Sequence, residues 1–163
     1  MAEPTRLLFV CLGNICRSPS GENMMRHVLR EESLLESFEL DSAGTESWHI
    51  GKSPDSRMIE AARNRGIEMT GRARQVTPED FKTFDWILAM DRSNFDDLID
   101  VRERCHDPRA RLVLFCEFCE EHRADEVPDP YYGGPEGFET VLDLLEDGCR
   151  SFLRRWRSHE LPE

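Results

Sequence analysis

Short β-rich runs alternate with helical stretches along the chain, and this alternation limits the fold more than any other feature. The runs fall at Arg6–Val10, Phe38–Asp41, Asp85–Met90 and Arg111–Phe115, with helical patterns near Pro19–Glu32, Asp55–Arg65 and Arg92–Arg102. A closing helix is the clearest. Phe138, Val141, Leu142, Leu145, Cys149, Phe152, Leu153 and Trp156 recur at spacings of three and four, drawing one apolar stripe. Strand, helix, strand, helix implies a parallel sheet covered by helices on both faces. Gly66 reads as a helix stop after Arg65, and Thr77-Pro78-Glu79-Asp80 as a start with proline in the first helical position. No repeat or linker divides the 163 residues, so one α/β domain over 1–163 is expected.

The longest apolar run, Leu7–Leu12, is far short of the ~20 residues a membrane-spanning helix needs. The Met-Ala-Glu-Pro start lacks the basic residues and apolar stretch of a signal peptide, so we expect a cytoplasmic protein with no membrane partner. The net charge is −12, from 33 acidic and 21 basic side chains. Such a surface repels phosphate backbones, which argues against a nucleic-acid partner but leaves room for one local cationic pocket. In this setting Cys11, Cys16, Cys105, Cys116, Cys119 and Cys149 read as reduced thiols rather than a disulfide framework.

In open α/β sheets, ligands bind where strands end at their carboxyl edge. The first strand ends on Cys11, and "CLGNICRSP" leads from it into a helix. A thiolate is a strong nucleophile, and loop N–H groups ahead of a helix N-terminus stabilise that anion. The same N–H groups bind an oxyanion such as phosphate. Gly13 permits close backbone approach, and Asn14 tolerates the left-handed conformation such a loop can require. Arg17 offers a planar fork to two phosphate oxygens. Ser18 can cap the helix and donate its hydroxyl to the sulfur, with Pro19 at the first helical position. Cys-x5-Arg alone is weak; between a strand and a Ser-Pro helix start it points to a nucleophile in a phosphate-binding loop.

Attack on a phosphate ester requires an acid for the leaving oxygen. "EVPDPYYGGPEG" follows the fourth strand and precedes the last helix. Pro128 and Pro130 stiffen the backbone around Asp129, and Tyr131 and Tyr132 could wall a slot for an aromatic ring. Alone, the segment reads more readily as a Pro-Gly turn with an Asx cap and two half-exposed tyrosines. Beside the Cys11 loop, the acid reading is preferred.

Together "VCLGNICRSP", "DSAGT", "DPYYGG" and "FETVLDLLEDGCRSFL" resemble the low-molecular-weight protein tyrosine phosphatases in order and spacing over nearly the whole chain. The resemblance implies a three-layer open sheet of four parallel strands, with the phosphate-binding loop after the first. It implies hydrolysis of phosphotyrosine in proteins or peptides, with phosphate and other oxyanions as product or inhibitors and no metal or organic cofactor. By motif, Cys11 is the nucleophile that forms a phosphocysteine, Arg17 binds phosphate, and Asp129 acts as acid and then base. Leu12, Gly13, Asn14, Ile15, Cys16 and Ser18 complete the loop; Ser18 supports the thiolate and Asn14 holds the loop's shape. Ser42 resembles the residue that bonds Asn14, and Trp48 resembles the aromatic that flanks the cleft with Tyr131, although a core tryptophan is the alternative. Ile15 matches the tyrosine-directed branch, where a related arginine-phosphate branch has threonine. Gly71 stands where many members have a histidine, so loop support must come from elsewhere. Members with a cysteine at the position of Cys16 form a reversible disulfide between the two loop thiols. Tyr131 and Tyr132 resemble tyrosines that are themselves phosphorylated.

"CEFCEEH" has ligand-like spacing at Cys116, Cys119 and His122, but zinc sites commonly show two well-spaced pairs. Unliganded thiols are preferred there, with a redox pair as the intermediate reading. The acidic run Glu117–Glu126 reads as a solvated loop, and His27, His49 and His159 as surface positions without a role. An arsenate reductase would need Cys116 and Cys119 to reach Cys11. A phospho-ligand binding module would need neither Cys11 nor Asp129.

Overall fold

The computed structural model describes residues 3–162, so Met1, Ala2 and Glu163 lie outside it, including the first two residues of the Met-Ala-Glu-Pro start. Four strands form one parallel sheet: β1 (Thr5–Cys11), β2 (Phe38–Gly44), β3 (Trp86–Ala89) and β4 (Arg111–Leu114), in the order β2-β1-β3-β4. Leu7–Val10 and Trp86–Ala89 are apolar and buried, as strands covered on both faces must be. Alternation then divides β1 between two cores. Leu7, Phe9 and Cys11 face the larger core, built with α1 (Arg17–Glu31), α2 (Ser56–Arg63) and α5 (Pro135–Arg157). Leu8 and Val10 face the smaller, built with α3 (Asp80–Thr83) and α4 (Arg92–Glu103). These are the three layers expected.

The stripe on α5 is buried from Phe138 to Leu153, each large side chain contributing about 1.5–3 kcal/mol. Phe152 stands edge-on to Trp86 and Phe118, with ring centroids 5.7 and 4.9 Å away. Phe152→Ala would cost about 3–5 kcal/mol.

Two local expectations need correction. Helix α1 begins at Arg17, two residues before Pro19, and Ser18 makes no cap bond because its hydroxyl serves the loop instead. The Thr77–Asp80 stretch is a turn before the four-residue α3; the Asp80 carboxylate accepts from the Thr77 amide at 2.8 Å, so Pro78 starts no helix. The acidic run after Phe115 is an exposed loop, as expected, with Glu117, Glu120, Glu121, Asp125 and Glu126 all exposed and its backbone tethered to α5. A 3-10 turn spans Phe115–Phe118, and Asp147 on α5 accepts from the amides of Glu120, Glu121 and His122 at 3.0, 3.0 and 2.9 Å.

Chain connections leave β1 toward one face through α1 and β3 toward the other through α4. The crevice at their carboxyl ends is the topological switch point, where such sheets bind ligands.

Candidate active site

Cys11 is the last residue of β1, and the loop from Leu12 to Cys16 carries the chain into α1. Its carbonyls are tied outward. Those of Cys11 and Leu12 accept from the amides of Thr45 and Glu46, both at 2.9 Å, and that of Ile15 from the amide of Asp55 at 2.7 Å. A trans peptide sets C=O and the next N–H in opposite directions, so each tie turns an amide the other way. Among the described residues, the amides of Gly13, Asn14, Ile15 and Cys16 donate to no protein acceptor. The loop is thus a set of unpartnered N–H groups at a helix N-terminus, the arrangement that binds oxyanions.

Loop shape depends on two small residues and an asparagine. A Cβ on Gly44 would come within 2.7 Å of the Leu12 carbonyl oxygen, so only glycine lets β2 lie this close beneath the loop. One on Gly13 would meet His49 Cδ2 at 2.8 Å. Asn14 takes the expected left-handed conformation, with φ 56°. Its amide nitrogen donates to Ser18 Oγ at 2.8 Å and to Ser42 Oγ at 3.0 Å, and its oxygen accepts from the Arg74 amide at 2.9 Å. That last bond is support from elsewhere beside the side-chain-free Gly71. Ser42 in turn donates to Glu22, which pairs with Arg26, both at short range (2.8 and 2.7 Å).

Ser18 Oγ accepts from Asn14, so its single proton is left for Cys11 Sγ at 3.0 Å or the Ala43 carbonyl at 3.3 Å. An anionic sulfur attracts that proton more strongly than a carbonyl does. Cys16 is different: burial pushes its thiol well up, and the charges of Cys11, Asp55 and Asp129 add to this. It stays protonated.

Arg17 is buried, and its NH1 donates to Asp91 at 2.6 Å and to the Val127 carbonyl at 3.0 Å. Burial would lower its pKa, but Cys11 and Asp91 outweigh that, and its pKa is held above the usual value. Asp129 comes from the segment before α5, with its carboxylate 3.7 Å from Arg17 NH2 and largely exposed.

Cys11, Cys16, Arg17 and Asp129 line one open cleft of about 300 Å³, together with Leu12, Gly13, Ile15, Trp48, His49, Tyr131 and Tyr132. Trp48 is 66% exposed, which removes the core-tryptophan reading. Cys11, Arg17, Asp129 and the three aromatics thus line the same cleft. Ser42 lies behind the loop. Cys116, Cys119 and His122 do not line the cleft, and β4, which precedes them, is two strands away from β1. Sequence reasoning missed Asp91, Glu22 and Arg74, and it assigned no role to His49. The available signal for Asp91 was an Asp-x-x-Asn helix cap at the end of the strand flanking the switch point.

The sequence profile of the low molecular weight phosphotyrosine protein phosphatase family matches residues 6–161. A Synechocystis sp. protein, provisionally named a low molecular weight protein-tyrosine-phosphatase, is 49% identical over 91% of this chain and 94% of its own. The low molecular weight phosphotyrosine protein phosphatase of Sus scrofa is 39% identical over 93% of this chain and 95% of its own. The crystal structure of a protein tyrosine phosphatase from Entamoeba histolytica, with Hepes in its active site, superposes with a TM-score of 0.90. It is 43% identical and the match covers 96% of this chain and 99% of that one.

Proposed function

The chain belongs to the low molecular weight phosphotyrosine protein phosphatases, which are hydrolases, and on that premise we propose that it cleaves phosphotyrosine in proteins or peptides through a phosphocysteine on Cys11. The phosphoryl oxygens sit among the loop amides and the Arg17 guanidinium. The Cys11 thiolate attacks phosphorus, the P–O bond to the phenol breaks, and Asp129 gives its proton to the departing oxygen. Water then attacks the phosphocysteine while the Asp129 carboxylate takes its proton, and the S–P bond breaks to release phosphate. Amides and Arg17 act where charge spreads over the equatorial oxygens, which is how positioned donors accelerate phosphoryl transfer.

The observation that carries this reading is the loop itself: outward carbonyls and unpartnered amides beside a sulfur within 3.0 Å of Ser18 Oγ, with Arg17 buried alongside. Hepes, a sulfonate, in the related Entamoeba active site supports oxyanion binding by such a loop. Trp48, Tyr131 and Tyr132 give the cleft apolar walls suited to an aryl ester. Cys16, protonated beside Cys11, is the partner for a reversible disulfide that shields the nucleophile. A cytoplasmic location is part of the proposal; among the described residues no helix is long and apolar enough to cross a membrane. Arsenate reduction through Cys116 and Cys119 is disfavoured by their separation from the cleft.

Hydrolysis of p-nitrophenyl phosphate against pH tests the assignment, with phosphotyrosine and phosphoserine peptides alongside. We expect a bell-shaped profile, abolished by Cys11→Ser and stripped of its alkaline limb by Asp129→Asn, with preference for phosphotyrosine. No turnover by folded, reduced protein would overturn it.

A further inference from the structure

Cys116 and Cys119 belong to no part of the cleft, yet their arrangement is not that of casual core thiols. They fall at the second position of the 3-10 turn Phe115–Phe118 and at the capping residue just beyond it, with the Cys119 amide donating to the Cys116 carbonyl at 3.1 Å. In a 3-10 turn, residues i and i+3 eclipse, with a rise of about 2 Å per residue. That puts the two Cα atoms about 6 Å apart on one side of the turn, inside the range a disulfide spans.

We propose that Cys116 and Cys119 form a reversible intra-turn disulfide when the protein meets a peroxide, at a site separate from the nucleophile loop. The neighbouring thiols favour ionisation at Cys116 and oppose it at Cys119, so Cys116 is the more acidic of the pair. Cys116 is buried, and Cys119 is half-buried at the edge of the turn, 3.4 Å from the Leu144 carbonyl. The Cys116 thiolate attacks hydrogen peroxide, the O–O bond breaks, and hydroxide leaves with the proton released from the thiol as one water. The resulting sulfenic acid is attacked by the Cys119 sulfur, which loses its proton as a second water departs. Two thiols and one peroxide thus give one disulfide and two waters, and an added dithiol reverses the step. The turn is the root of the segment that carries Val127, whose carbonyl accepts from Arg17, and then Asp129. The site therefore lies in the chain leading to the acid without sharing the cleft's thiols.

Trypsin separates the two candidate pairs: Leu112–Arg123 contains Cys116 and Cys119, and Leu7–Arg17 contains Cys11 and Cys16. Natural protein and Cys11→Ser would each be treated with hydrogen peroxide, alkylated, digested without reductant and analysed by mass spectrometry. In both, the proposal expects Leu112–Arg123 to appear unalkylated and lighter by two hydrogens, and to regain both thiols after dithiothreitol. Cys119→Ser should lose that species and accumulate sulfinic or sulfonic acid on Cys116. The proposal is overturned if Leu112–Arg123 stays fully alkylated under oxidation that converts Leu7–Arg17. It is equally overturned if its cysteines are found linked to Cys11, Cys16 or Cys149. None of these readouts depends on catalysis.

Discussion

The Asp91 carboxylate lies 2.6 Å from the Arg17 guanidinium, so a residue just beyond β3, the strand beside that of Cys11, holds the cation of the cleft. Asp91 follows β3 and also caps α4, accepting from the Asn94 amide at 2.7 Å. Asp91→Asn keeps a capping oxygen but removes the charge that orients Arg17. A charge-assisted hydrogen bond of about 1.5–3 kcal/mol corresponds to roughly a tenfold to hundredfold loss in kcat/KM. Asp91→Ala should lose the same rate and, in addition, about 1 kcal/mol of stability from the cap. Unchanged kcat/KM in the Asn variant would show that Arg17 needs no such partner.

Ser18 has one proton, and the Cys11 sulfur is its nearer acceptor. Ser18→Ala removes a donor that favours the thiolate, a bond worth about 1 kcal/mol. Inactivation by iodoacetate at neutral pH should therefore slow several-fold. If the rate is unaltered, the hydroxyl serves Ala43 instead.

Trp48 and Tyr131 stand at the mouth of the cleft rather than in the phosphate cradle. An aromatic contact of about 0.5–1.5 kcal/mol predicts that Trp48→Ala or Tyr131→Ala lowers kcat/KM for a phosphotyrosine peptide roughly twofold to tenfold. Inhibition by inorganic phosphate should hardly change, since phosphate does not reach the rings. A parallel loss of phosphate inhibition would place these side chains in the loop's support instead.

Asp147 couples α5 to the turn below the acid segment. Burial alone would raise its pKa, but three amide donors outweigh that and hold it below the usual carboxylate value. A carboxyl depressed on folding stabilises above its unfolded pKa of about 3.9, and that stability is lost as pH falls through the folded value. Asp147→Asn should thus cost about 1–3 kcal/mol at neutral pH. The gap to the natural protein should close as pH drops below about 4. Denaturant titrations at both pH values check this, and a gap independent of pH would contradict it.

How far the sequence could be read depended on whether a feature was local. The loop was legible because Cys11, Asn14, Arg17 and Ser18 lie within eight residues and their types suit one chemistry. The α5 stripe was legible because periodicity survives in any context. Asp91, Glu22 and Arg74 were not, since each acts through a partner distant in sequence: Arg17, Ser42 and Asn14. His49 was passed over because nothing local shows that Gly13 leaves space for its ring. Pro19 misplaced the start of α1, because loop geometry rather than proline preference fixes where that helix begins. The tether on the exposed acidic run was not legible because the carboxylate that holds its backbone lies on another element, at Asp147.

The most direct test is to catch the covalent intermediate. In Asp129→Asn, loss of the base slows attack by water, so p-nitrophenyl phosphate should load the enzyme during turnover. Acid quenching, digestion and mass spectrometry should then find one phosphoryl group on Cys11 within Leu7–Arg17, absent from Cys11→Ser. Continued turnover with that peptide never phosphorylated would contradict the account.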